Sequence, residues 1–278
     1  MGVFTEPPVS LPVPNLSLSS VNLLRRCPEK WRRKYLENQY EPPSGPMIVG
    51  SAAGAAENRS FQQKITSGED LAEADVLDAY ADEWHERASN ETVAWGDQKP
   101  DKLRQTGQAA LATYHADIAP QVWPTSVERK FTLRFPGLEW TFTGYLDLEE
   151  HDGSVGDLKV KGRKLSQGEA NVDPQVSAYL LARRAEGSPA SEFRFHTMIR
   201  TVKPHAEIVT TSRSDGQLDV FLHRIFAAAQ EIHWRASNEM WDAAPPGSWW
   251  CQASSCGFWS SCPFGGMHSR PAVEAVAA

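Results

Sequence analysis

Asp157 and Lys159 stand two apart in the segment GYLDLEEHDGSVGDLKVKGRK, residues 144–164. Apolar and polar residues alternate there as in a strand, so both side chains leave one face, roughly 6–7 Å apart along it. A turn at His151-Asp152-Gly153 folds Asp147 back to lie nearly opposite Asp157. Two carboxylates and an ammonium therefore converge on one spot. Carboxylates at close range repel unless a cation lies between them. A hard divalent ion such as Mg²⁺ or Mn²⁺, its shell completed by water, meets that need. Such an ion acidifies bound water and stabilises charge on an attacked phosphate, while a neighbouring lysine orients the water or shares the charge. A bare Asp-x-Lys is equally the pattern of a solvated strand face carrying an ion pair. Gln175 and Tyr179, four apart on the next expected helix, share a face and are candidates for the same spot.

The four cysteines form a second constellation: Cys27 far upstream, then Cys251, Cys256 and Cys262 as C-x4-C-x5-C. Four thiolates suit a tetrahedral zinc or an iron–sulfur cluster. Zinc ribbons favour C-x2-C knuckles, and this pattern has none. Trp249, Trp250, Phe258 and Trp259 would shield a bound group from solvent. Cysteines without a ligand are the remaining reading.

The elements that must position these residues follow from periodicity. Residues 1–15 are proline-rich and read as an extended leader. Leu16–Leu36 reads as a helical segment broken once, with Ser19 and Ser20 as N-caps and Pro28 opening the second part. Residues 41–46 are a loop, and 48–118 read as helical throughout, with apolar stripes Val76/Tyr80/Trp84 and Leu111/Tyr114/Ile118. Val127–Phe135, Leu138–Glu149 and Val155–Val160 then form a three-stranded meander. A helix over Asp173–Ala185, strands Phe193–Ile199 and Glu207–Thr211, and a long amphipathic helix around 218–232 complete the pattern. This order argues an α+β fold or a mixed α/β core.

At 278 residues and 41% hydrophobic residues, the chain is long enough to bury a sizeable core. No apolar run reaches the roughly 20 residues of a membrane span. No basic flank and apolar segment opens the chain, so the expectation is a cytoplasmic, reducing setting with no membrane partner. No G-x-x-x-x-G-K-[ST] is present, which excludes a P-loop ATP motor. The net charge of −7 taken alone argues against nucleic acid, yet it hides an asymmetry. Residues 25–34 carry six Lys/Arg against one Glu, and 159–164 add four more, while the acid lies in 57–101. Arg25, Arg26, Lys30, Arg32, Arg33, Lys161, Arg163 and Lys164 are therefore candidate DNA contacts. Trp31 and Tyr35 are candidates to stack on bases or to pack in the core.

Gly144-x-x-Asp147, Asp157-x-Lys159 and Gln175-x-x-x-Tyr179, in this order and spacing, resemble the PD-(D/E)XK nucleases of the RecB-like branch. LSLSSVNLLRRCPEKWRRKY resembles the Ser…Cys-Pro opening of RecB/AddB nuclease domains and of CRISPR-associated exonucleases, and the resemblance covers about residues 16–266. It implies a restriction-endonuclease-like core, a mixed sheet flanked by helices. It also implies that Asp147, Asp157 and the Leu158 carbonyl bind Mg²⁺ or Mn²⁺, that Lys159 is the catalytic lysine, and that Gln175 and Tyr179 line the active site. Glu128, on the first long strand, is an accessory acid or a plain exposed residue. The family's Gly-x-x-x-His is replaced by Gly50 and Gly54, and Glu57, three residues on, is the candidate substitute ligand. The cysteines resemble the [4Fe–4S] staple of the same nucleases, with x4 where x2 is usual. Such a staple would pin the first helix to the cysteine segment and make 16–266 one domain. That domain would comprise a helical subregion (48–124), a catalytic core (125–240) and the staple (247–266), followed by a loose tail (267–278). The function so implied is a metal-dependent DNA exonuclease of bacterial or phage origin, acting in recombination, repair or processing. The rivals are a weakened DNA-binding adaptor, serving recombination or CRISPR spacer acquisition with a protein partner, and a zinc-bearing interaction module.

Overall fold

The computed structural model describes residues 9–90, 92–245 and 247–265. Residues 1–8 of the expected leader, position 266 and the expected tail lie outside them. In chain order the elements are β1 (Asn15–Leu16), α1 (Leu18–Arg26), α2 (Pro28–Tyr35), α3 (Gly45–Ser67), α4 (Glu73–Asn90), α5 (Pro100–Asp117), β2 (Pro124–Arg134), β3 (Thr141–Glu150), β4 (Val155–Lys161), α6 (Gln167–Val172), α7 (Pro174–Ala185), β5 (Phe193–Ile199), β6 (His205–Thr211) and α8 (Asp215–Asn238). They fall into two compact units. One comprises Pro42–Leu133 and Phe142–Arg224; the other comprises the described residues of Met1–Glu41, Arg134–Thr141 and Ile225–Ala278.

The first unit holds the sheet. Its order is β3-β4-β5-β6, with β2 on β3; β4 runs parallel to β5, and the β3–β4 and β5–β6 pairs are antiparallel. The sheet is therefore mixed, as expected. The chain passes from β4 to its parallel neighbour through α6 and α7, the length of connection a parallel pair requires. Period-two alternation then sorts side chains. Leu158, Val160 and Met198 join the apolar core made with α3, α4 and α5, while Phe193 packs against Tyr179 of α7. The stripe Val76, Tyr80 and Trp84 is buried in that core, with Leu111 and Tyr114.

The helical stretch is not continuous: Gly68 ends α3 in the left-handed conformation, and 91–99 separate α4 from α5. Helix α6 was not anticipated; a Ser166/Glu169 capping box starts it.

In the second unit, Ser17 rather than Ser19 or Ser20 caps α1, its side chain accepting from the Ser20 N–H. Ser20 is buried, and its hydroxyl accepts from Trp31 Nε1 at 2.9 Å. Trp31 is fully buried and stacks on Trp241 at 5.4 Å, which assigns it to the core rather than to base stacking. Pro28 opens α2 as expected.

Candidate active site

Strands β3 and β4 pair Leu148 with Gly156, and continuing that antiparallel register sets Asp147 opposite Asp157. Gly144 serves this strand by what it lacks: a Cβ there would come within 2.7 Å of the Phe131 ring. Asp157 and Lys159 lie beside Phe195 and Thr197 of β5, on the sheet face opposite Leu158. Helix α7 is started by Pro174 and by Asp173, whose carboxylate accepts from the Gln175 N–H at 2.8 Å. That cap fixes where the first turn points Gln175 and, one turn on, Tyr179.

The five side chains form one hydrogen-bonded chain. Lys159 Nζ donates to Asp157 Oδ1 (3.0 Å) and Gln175 Oε1 (2.7 Å). Gln175 Nε2 donates to Asp157 Oδ1 (2.7 Å) and to the Tyr179 hydroxyl (2.9 Å), and Tyr179 donates to Asp147 Oδ1 (2.7 Å). Asp157 is 1% exposed. Burial, and then the adjoining Asp147 carboxyl, push it well above the usual carboxylate range against the pull of Lys159. Burial lowers the Lys159 ammonium, but Asp157 and Asp147 outweigh it and hold the group above its ordinary value. Burial raises the Tyr179 phenol, so it remains a donor.

Asp147 and Leu158 also line a cleft of about 350 Å³, with Gly50, Ser51, Gly54, Ala55 and Asn58 of α3, Arg87 of α4 and Glu128 of β2. Glu128 has φ +51° within a strand, a costly conformation for a residue with a Cβ. Its carboxylate accepts from Asn58 Nδ2 at 2.9 Å. A hard divalent cation fits this corner. Two carboxylates adjoin, and the buried Asp157 Oδ2 lies 2.7 Å from Lys159 Nζ but has no hydrogen bond. Among the described residues no three His, Cys, Asp or Glu side chains converge as a metal cage, so much of any cation's shell would be water or substrate oxygen.

The structure does not bring Glu57 to this corner. Glu57 is fully buried, is not a lining residue of the cleft, and lies 3.3 Å from His115 Nδ1. Burial raises the Glu57 carboxyl, and the bond to Glu57 raises His115. Gly54 leaves open space: a Cβ there would meet nothing within 4 Å. The stripe Gly50, Gly54, Asn58 at spacing four was a legible signal of a helix face, whereas Arg87 had none in the sequence.

Several candidate DNA contacts are already engaged. Lys161 makes no ion pair among the described residues, but Arg163 pairs with Glu169 and Lys164 with Glu207. In the other unit, Arg25 pairs with Glu231, Lys30 with Glu41, and Arg32 and the buried Arg33 with Glu29. Arg26 lies over the rings of Trp249 and Trp250. Arg33 also donates to the Ser261 carbonyl at 2.8 Å, and Glu41 accepts from the Gly257 N–H at 2.8 Å. These bonds hold the cysteine segment to α2 and to the loop that follows it. Burial raises the Cys27 thiol, with Cys251 and Cys262 acting in the same direction. Burial likewise raises Cys251, seconded by Cys256 and Cys262. Cys27 and Cys251 thus each feel two other thiols, but among the described residues no three of the cysteines converge as ligands.

Compared with known proteins, residues 15–263 match the family described as the PD-(D/E)XK nuclease superfamily. A search of curated proteins finds no match. Among solved structures, one similar chain is named "Putative exonuclease" from Eubacterium rectale. It is 14% identical, with a TM-score of 0.59, and the match covers 95% of this chain and 91% of that one.

Proposed function

The chain belongs to the PD-(D/E)XK nuclease superfamily, and from that premise we propose that it is a Mg²⁺- or Mn²⁺-dependent DNA exonuclease. The carrying observation is the hydrogen-bonded chain Lys159–Gln175–Tyr179 that ties Asp157 to Asp147 at the edge of an open cleft. Asp147, Asp157 and the Leu158 carbonyl hold the cation, with Glu128 as an accessory acid. When bound, the cation supplies a more acidic water and charge stabilisation at the phosphate. Lys159 stays protonated and orients the nucleophile or offsets charge on the phosphate oxygens. Gln175 fixes Lys159 and Asp157 relative to each other. Tyr179 keeps Asp147 turned toward the cleft.

The direction from chain ends, a role in recombination, repair or processing, and a cytoplasmic setting with a recombination or CRISPR-adaptation partner rest on the resemblance to RecB-like nucleases. The name of the structural relative points to end-directed cleavage too.

A [4Fe–4S] cluster on Cys27, Cys251, Cys256 and Cys262 belongs to the same proposal. Its support is the influence of the neighbouring thiols on Cys27 and Cys251, and the bonds that fasten the cysteine segment to α2 and the loop after it. Absorbance near about 400 nm in anaerobic material is the signature expected of such a centre. Zinc without that absorbance is the outcome that removes it.

The test is Mn²⁺-dependent digestion of end-labelled single- and double-stranded DNA, with Asp157→Ala as control. Cleavage that persists undiminished in that variant overturns the assignment. The open wall at Gly54 favours one alternative, a DNA-binding adaptor on this fold. Binding without cleavage at any Mn²⁺ concentration would select it.

A further inference from the structure

We infer that Arg87 of α4 is a substrate-binding residue that grips a phosphate of the DNA strand lying in the cleft. This deepens the nuclease reading and rests on it. Among the described residues lining the cleft of about 350 Å³, Arg87 is the one cation, and it shares that lining with Glu128 and Asp147. A polyanionic strand entering a carboxylate-lined cleft needs positive charge on the wall that holds no cation ligand.

The guanidinium is set up for that task. Nε and Nη2 lie 3.2 and 3.1 Å from Glu83 Oε2, one turn back on the same helix. This contact fixes the direction of the side chain and leaves Nη1 without a partner among the described residues. The Arg87 side chain is 35% exposed, so it is reachable yet partly shielded. Planar guanidinium groups match phosphate oxygens better than an ammonium does.

The floor between Arg87 and the strands is kept clear. Gly50 and Gly54 are interior to α3, where glycine is less favourable than alanine. Neither is demanded by packing, since an added Cβ would meet nothing within 4 Å at either position. The space they leave adjoins Asp147 and Leu158, where a scissile phosphate would lie.

The experiment measures binding of a fluorescein-labelled single-stranded DNA of about 20 nucleotides, in chelator to prevent cleavage, over a series of salt concentrations. Each phosphate contact on a single strand contributes about 0.7 to the slope of log K against log salt. Arg87→Gln is expected to weaken binding about 5- to 10-fold and to lower that slope by about 0.7, with the thermal midpoint unchanged. Arg87→Lys is expected to keep the slope and lose part of the affinity. A purely structural Arg87 would move the midpoint and not the slope. An unchanged slope in a folded Arg87→Gln protein overturns the inference, as does a slope lost equally in Arg87→Lys. In both cases, wild-type Mn²⁺-dependent cleavage leaves the nuclease reading standing. Wild-type protein that neither binds nor cuts DNA overturns the nuclease reading and the inference with it.

Discussion

The Tyr179 hydroxyl donates a 2.7 Å hydrogen bond to Asp147 Oδ1, so a helix on one side of the sheet sets the orientation of a carboxylate that also lines the cleft. Tyr179 receives in turn from Gln175 at 2.9 Å. Partners that orient a ligand typically contribute 10- to 100-fold in metal affinity or activity. Tyr179→Phe keeps the ring against Phe193 and Phe131 but loses the donor. Its single-turnover cleavage should fall about 10-fold, the low end of that range. Calorimetric Mn²⁺ titration should show weaker binding; unchanged affinity and rate would reduce Tyr179 to a packing residue.

Asp157 is buried beside another carboxyl, and its ionised form is disfavoured. Asp157→Asn removes that penalty while keeping the shape. Cleavage should disappear, whereas the thermal midpoint should stay nearly unchanged, the relieved burial of Asp157 offsetting the carboxylate partner that Lys159 loses. Lys159→Gln should cost roughly 10²–10³ in rate, the scale for losing one aligned charge-stabilising donor. A large fall in midpoint for Asp157→Asn would show the carboxylate to be structural.

Gly54 sits within a helix and faces open space. Gly54→Ala should raise stability by about 0.5–1 kcal/mol, read by denaturant unfolding. Gly54→His should add an imidazole to the cleft wall and tighten Mn²⁺ binding about tenfold, or about 1.4 kcal/mol. No change in Mn²⁺ affinity would place that wall beyond the cation's reach.

Glu150 is 7% exposed, 3.1 Å from Arg194 and 3.4 Å from His196. Burial raises its carboxyl, but His196 and Arg194 outweigh burial and hold it below the ordinary 4.5. A depressed carboxyl contributes stability that is fully present above the unfolded value and lost as pH falls through the folded one. Glu150→Gln should therefore be less stable than wild type at pH about 6.5 by about 2 kcal/mol, the scale of a hydrogen bond to a charged group, since Arg194 keeps Asp152 and Glu192. The gap should close progressively as pH falls below about 4. Unfolding curves at several pH values check this; a gap that is constant with pH would mean the ion pairs contribute nothing.

The geometry of the candidate site was legible where it followed from local spacing. Asp157 and Lys159 share a strand face, Gln175 and Tyr179 a helix face, and the hairpin brings in Asp147. Positions fixed by tertiary partners were not legible. Glu57 reads as a substitute ligand from its nearness to Gly54, yet its carboxylate meets His115, whose place on α5 the spacing of α3 does not encode. The basic run 25–34 reads as a DNA path, and its ion pairs with Glu29, Glu41 and Glu231 are what its spacing alone does not encode. Arg87 belongs to a helix whose acidic face gave no sign that it borders the cleft. The fold's element order was readable from periodicity, while caps such as Ser17 and the short α6 turned on single side-chain bonds.

The two-unit arrangement also sets a timetable for biosynthesis. Every side chain of the Asp147–Lys159 corner is translated before Cys251, so the cleft-bearing unit can condense while the ribosome still holds the rest. Cys27 and Trp31 emerge early but must wait roughly 200 residues, on the order of 10–40 s at about 5–20 residues per second, for their partners. During that interval the first two helices are nascent chain without a completed core. That interval is when a chaperone would find the segment open, and a group held by all four thiols can be completed only once Cys262 has been made.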